Sequence, residues 1–138
     1  MEFVASYSWA LIALLVFVLI TLLQSALVGA KKAEAKLPAG SQPGSDYGDA
    51  LYRFNRSHQN AVENASLITI ALVACILAGV YPWWVNLLMV LFLVFRLIHS
   101  ITLAQNIGAE VRGPRTFAYV ASWAVNVVLA IMAIVALL

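Results

Sequence analysis

Tyr52-Arg53-Phe54-Asn55-Arg56-Ser57-His58-Gln59-Asn60-Ala61-Val62-Glu63-Asn64 is a run of ionisable and amide side chains that leads directly into apolar residues 65–80. At 100° per residue, Arg53, Arg56, Gln59, Asn60, Glu63 and Asn64 fall within an arc of about 140°, whereas His58 and Phe54 point elsewhere. The stretch therefore predicts one long helix: a polar stripe over its first turns, then a span that only lipid or a core can accommodate.

The rest of the chain decides between lipid and core. Of 138 residues, 64% are hydrophobic and 10% charged, a balance foreign to soluble domains of this size. A spanning helix needs about 20 apolar residues. Four runs qualify: 7–30, 61–80, 83–104 and 117–138. The expected fold class is an all-α integral membrane four-helix bundle, a single domain over residues 1–138, with helices at about 7–31, 47–79, 83–107 and 114–138. The first run lacks a basic start, carries Glu2 and is too long for a signal peptide, so it is read as a retained helix.

Lys31, Lys32, Lys36, Arg53 and Arg56 lie in or beside the first connection and Arg112 and Arg115 in the third; the turn at 79–84 has no charge. Basic connections stay in the cytoplasm, which puts both termini on the other side. The absence of a retention signal and the compact chain point to a bacterial inner membrane. A net charge of +2 gives no reason to expect nucleic acid.

Helix signals punctuate the runs. Pro38, Gly40, Ser41, Pro43, Gly44, Ser45 and Gly48 make residues 36–48 the one real loop. Asp46 or Asp49 can cap the second helix, and Pro82 and Pro114 suit the first turns of the third and fourth. The short turn at 79–84 makes the second and third helices antiparallel neighbours.

Two further polar faces follow. Arg96, His99, Thr102 and Asn106 are spaced three, three and four apart, and Arg115, Tyr119, Ser122 and Asn126 four, three and four apart, so each set shares one helical face. The first helix has no such face and is expected to be peripheral. Arginines near helix ends commonly snorkel to headgroups, but Arg96 follows about three turns of apolar helix and needs a partner, for which Glu63 is the candidate. Ser122 and Asn126 suit hydrogen bonds between helices, as does His58. Two histidines on separate helices make a poor metal site, and Cys75, within an apolar segment, is a poor nucleophile. The remaining cluster is net positive and rich in donors. Arg53 and Glu63 lie about 15 Å apart along a helix, which suits an elongated anion with separated carboxylates and an amine, such as a small peptide.

Arg53-Phe54-Asn55-Arg56-Ser57-His58-Gln59-Asn60-Ala61-Val62-Glu63 resembles the second-helix signature of the membrane-associated proteins in eicosanoid and glutathione metabolism, the MAPEG family. Arg96-Leu97-Ile98-His99, with Arg112-Gly113 sixteen residues after the arginine, resembles that family's third-helix arginine and histidine and its later arginine. The resemblance covers nearly the whole chain. It implies a homotrimer that binds glutathione between adjacent subunits near the cytoplasmic side, in the manner of microsomal glutathione transferases and peroxidases. Arg56, Asn60, Glu63 and His99 would hold the tripeptide, with Arg53, Gln59, Arg96, Arg115 and Tyr119 as further binding candidates. Arg112 takes the catalytic place. A free thiol titrates near 8.5, and a fixed guanidinium can lower that by about one or two units, each about 1.4 kcal/mol.

The implied function is activation of the glutathione thiol for conjugation to, or reduction of, hydrophobic electrophiles or hydroperoxides arriving from the bilayer. The pattern departs from the family in two places. Leu103 stands where many relatives have a tyrosine, and Gly113 where the prostaglandin-forming branch has a serine, which argues against that isomerase. Arg115 competes with Arg112 for the thiolate role. The alternatives are a non-catalytic membrane interaction protein that keeps the family fold, and a small multidrug transporter, for which Glu63 is the only suitable carboxylate.

Overall fold

The computed structural model describes residues 2–109 and 112–138. Four long helices carry the fold, α1 (Ser8–Glu34), α2 (Ala50–Leu77), α3 (Pro82–Ala104) and α4 (Pro114–Leu137), preceded by a single helical turn at Glu2–Ala5. All four are long and apolar enough to cross a membrane, and the described residues contain no strand. Glu110 and Val111, in the connection expected between the helices at 83–107 and 114–138, lie outside the described residues.

Three of the helices stop by the same device. Lys36, Gly79 and Asn106 adopt positive φ, and the amide one residue further on reaches back five residues: Leu37 to Lys32, Val80 to Cys75, Ile107 to Thr102. This is the Schellman arrangement, which satisfies the last carbonyls of each helix. It carries α1 to Glu34, three residues past the expected end at 31, and stops α3 at Ala104, three short of the expected 107. At its other end α2 is capped by Asp49, whose carboxylate accepts from the Leu51 amide.

α3 packs against all three other helices. Ile68 and Leu72 of α2, Val85, Met89 and Phe92 of α3 and Leu129 of α4 are fully buried, and Phe17 of α1 meets Phe92 edge to face at 5.2 Å. Lipid gives apolar side chains no reason to leave it, so packing and hydrogen bonds hold such a bundle together. Small residues let the helices approach. Ala10, Ala13, Ala61, Ala71, Ala118 and Ala133 are accordingly buried, while Leu15, Leu19, Leu22 and Leu23 of α1 face outward.

α1 is not peripheral. Tyr7, Ala10, Ala13, Phe17 and Val28 are buried against α2 and α3. The Tyr7 hydroxyl donates to the Val80 carbonyl at 2.6 Å, while Asn86 of α3 accepts from the Ala10 amide and donates to the Ser6 carbonyl. Asn86 thus satisfies an amide in the first turn of α1 that no side chain of α1 itself caps.

Polar contacts set the register of α2 against α3. Arg53 Nε reaches the Ala104 carbonyl, Ser57 Oγ the Ser100 carbonyl and Arg96 the Asn60 side chain. Moving up α2 from Arg53 to Ser57 to Asn60 moves the partner down α3 from Ala104 to Ser100 to Arg96, as antiparallel helices joined by a short turn require. Lipid-buried polar groups bridging two helices contribute about 0.6 kcal/mol each on average, so their greater effect here is to choose one register.

Candidate functional site

The stripe on α2 is divided by the packing. One edge turns inward. Arg96 is 1% exposed and donates through Nη2 to Asn60 Oδ1 at 2.6 Å; its Nε and Nη1 are buried with no hydrogen-bond partner among the described residues. One turn further along α3, His99 Nδ1 lies 3.1 Å from the Arg115 carbonyl of α4. A carbonyl only accepts, so Nδ1 carries the proton and the neutral ring turns an Nε2 lone pair inward. That atom is also buried without a partner among the described residues. Tyr119 lies beside it, ring centroids 5.5 Å apart. Asn60, Arg96, His99, Arg115 and Tyr119 therefore come together from three helices.

The other edge faces outward, away from the bundle core. Here Arg56 and Glu63 form an ion pair at 2.9 Å, with side chains 35% and 55% exposed. This corrects the expected pairing of Glu63 with Arg96. Arg56 and Glu63 stand two turns apart on one face of one helix, so the long arginine reaches the carboxylate directly, while Arg96 turns to an amide. Arg56, Gln59 and Glu63, with His58, form one wall of a cavity of about 640 Å³ whose opposite wall is α1, through Ser25 and Lys32. α1 thus borders the stripe. His58 faces the cavity and α1, where its ring meets the backbone of Thr21, while its Nδ1 has no partner among the described residues.

The remaining candidates are placed as follows. Arg53 spends its guanidinium on backbone carbonyls, those of Tyr47 and Gly48 at 2.7 and 2.8 Å and that of Ala104 at 3.4 Å, so it is committed to holding the start of α2. Gln59 donates to Gln42 Oε1. Arg112 is exposed, directly before α4. Arg115 lies over the Tyr47 ring, 5.6 Å from its centroid, with Nη1 buried and unpartnered among the described residues. Ser122 donates to the Tyr119 carbonyl of its own helix, and Asn126 Oδ1 has no partner among the described residues, so neither joins two helices as expected.

Sequence reasoning passed over Gln42, Asn55, Lys32 and Tyr47, which the structure brings to the same region. Asn55 and Lys32 carry a weak signal, polar side chains one turn from the stripe and at the end of a span. Gln42 carries none, sitting in a loop without periodicity.

On the far side of α2, an apolar groove of about 430 Å³ runs between α2 and α4, lined by Leu67, Ile70, Ala74, Trp123 and Val127. Asn64 and Asn126 are its polar members.

The family model of the MAPEG family matches residues 10–135, nearly the whole chain. The chain belongs to the MAPEG family. Among curated proteins no match is found. MAPEG membership brings with it a glutathione-related chemistry of transferase or peroxidase type at the level of the family.

Buried donors around a ligand site are the test of whether glutathione fits. Here the unpartnered nitrogens of Arg96 and the lone pair of His99 Nε2 provide both polarities that a peptide needs, a donor for carboxylate or carbonyl oxygen and an acceptor for an amide. An arginine within a membrane span with two unmet nitrogens is costly unless a further acceptor reaches it.

Proposed function

We propose that this MAPEG protein is a membrane enzyme that binds glutathione and activates its thiol for conjugation to, or reduction of, hydrophobic electrophiles or hydroperoxides. The observation that carries the reading is the buried Arg96 guanidinium, joined only to Asn60 among the described residues and set beside His99 and Tyr119. Glutathione supplies a thiol that is nucleophilic as the thiolate. Asn60, Arg96 and His99 hold its peptide and one carboxylate; Glu63 takes the amine; Arg56 and Gln59 take the second carboxylate. Arg112, with Arg115 on the next turn, supplies the positive charge that favours the thiolate.

The division of the stripe supports a homotrimer with shared sites. Inward and outward edges of one α2 cannot both face one ligand in a single subunit, but the outward edge of one subunit and the polar end of its neighbour can. The apolar groove between α2 and α4 is suited to the electrophile, which reaches it from the bilayer, and the polar ends of the helices face the cytoplasm. Leu103 is 4% exposed, so no phenol stands at the family's tyrosine position; Tyr119 is the phenol beside His99.

The test is an ultraviolet difference spectrum of the detergent-solubilised protein with glutathione. A saturable thiolate band is expected, and its absence together with the absence of saturable binding overturns the reading. A non-catalytic binding protein is distinguished by saturable binding without turnover.

A further inference from the structure

The loop between α1 and α2 places a side chain in the cavity beside the stripe. Gln42 Oε1 accepts two hydrogen bonds at once, from Asn55 Nδ2 at 2.9 Å and from Gln59 Nε2 at 2.9 Å. Next to it, the Ser41 carbonyl accepts from Lys32 Nζ at 3.0 Å. Three donors from two helices thus reach oxygens of two consecutive loop residues, beside one cavity. Asn55 is 3% exposed, so its amide has been taken from solvent and is fixed by its helix. Pro43, the next residue, is buried and anchors the loop there, while Gly40 at φ 80° supplies a bend that residues with a side chain rarely adopt.

Two amides and an ammonium around a pair of oxygens form a receptor for a carboxylate. We propose that Gln42 is a specificity-determining residue that occupies a carboxylate position of this cavity, and that a ligand carboxylate displaces it to reach Asn55, Gln59 and Lys32. This rests on the reading of the protein as a glutathione binder. A carboxylate exchanges neutral hydrogen bonds for charge-assisted ones, roughly twice as strong, so displacement is favourable for an anion and unfavourable for a neutral analogue. The loop thereby rejects uncharged peptides and esters, and its release accompanies binding. No bond is made or broken in this step.

The experiment uses the full chain in detergent, titrated calorimetrically with glutathione and with glutathione diethyl ester. Gln42→Ala removes the competing acceptor and should tighten glutathione binding about fivefold, with no gain for the ester. Gln42→Glu keeps both accepted hydrogen bonds and adds a repelling charge, and should weaken binding at least tenfold. Hydrogen exchange over residues 37–48 should accelerate when glutathione saturates the wild type, and should already be fast in ligand-free Gln42→Ala. Unchanged or weaker glutathione binding by Gln42→Ala overturns the displacement, as does slower exchange of the loop on binding. Wild-type protein that binds no glutathione overturns the proposed function and this inference together, whereas wild-type binding with an indifferent Gln42 overturns this inference alone.

Discussion

Arg96 Nη2 and Asn60 Oδ1 stand 2.6 Å apart in the interior of the bundle, and this is the one hydrogen bond of the guanidinium among the described residues. The contact therefore has two roles: it joins α2 to α3, and it fixes the orientation of a cation whose other nitrogens are buried without a partner among the described residues. Asn60→Ala should leave a buried guanidinium nitrogen without its acceptor, a loss above the average of about 0.6 kcal/mol for polar contacts between membrane helices and on the order of 1–3 kcal/mol. A lower midpoint of thermal unfolding in detergent checks this, and glutathione should recover part of the loss by binding only the folded protein. An unchanged midpoint would mean that water or lipid serves Arg96 equally well.

The Arg56–Glu63 pair should behave in the opposite way. Both side chains are substantially exposed, and ion pairs of that kind contribute under about 1 kcal/mol. Glu63→Gln should hardly alter unfolding but weaken glutathione binding at least tenfold, because the proposed partner of the ligand's amine is neutralised. Calorimetric titration beside thermal unfolding separates the two effects. Loss of stability without loss of affinity would return Glu63 to a purely structural role.

How much of this was legible in the sequence differs from residue to residue. Apolar run lengths fix four spans because the thickness of a bilayer leaves little choice. Asp49, Pro82 and Pro114 mark helix starts because each meets the need of a free amide or a fixed φ at that position. The stripe was visible as an arc, but its division was not: angles on one helix do not say which neighbour covers which edge. α1 was misread as peripheral because an apolar face serves lipid and helix contact alike, so burial of Phe17 and exposure of Leu19 leave no trace in composition. The Arg56–Glu63 pair is not legible from spacing, because residues two turns apart on one helix compete with partners on other helices that the sequence does not place. Gln42 lay in a stretch where no periodicity points anywhere.

The helix stops make a graded test of backbone strain. Gly79 has positive φ with open space around it, so Gly79→Ala should cost about 1–2 kcal/mol, the left-handed penalty alone. At Gly108 the same φ is joined by overlap, because an added Cβ would run into the Pro114 ring. Gly108→Ala should therefore cost more than Gly79→Ala and shift the start of α4, lowering both the unfolding midpoint and glutathione affinity. Lys36→Gly removes a left-handed side chain and should stabilise by about 1 kcal/mol. Thermal unfolding of the three variants gives the order directly, and equal costs at Gly79 and Gly108 would show that the loop before Pro114 yields.

Arg112 is the residue on which the proposed chemistry most depends. It is exposed just before α4 and makes no side-chain hydrogen bond or ion pair among the described residues, so Arg112→Ala should leave the unfolding midpoint and the assembly size unchanged. A guanidinium that lowers the glutathione thiol by one or two units raises the thiolate fraction at neutral pH about ten- to hundredfold while that fraction is small. Arg112→Ala should therefore abolish the thiolate band at pH 7 while saturable binding persists, and the band should return as pH is raised toward the ordinary thiol range near 8.5. Arg112→Lys keeps the charge on a shorter, rounder head and should restore part of the band. If the band survives Arg112→Ala undiminished and is lost in Arg115→Ala, the stabilising charge belongs to Arg115, whose guanidinium rests on Tyr47 with Nη1 buried and unpartnered among the described residues.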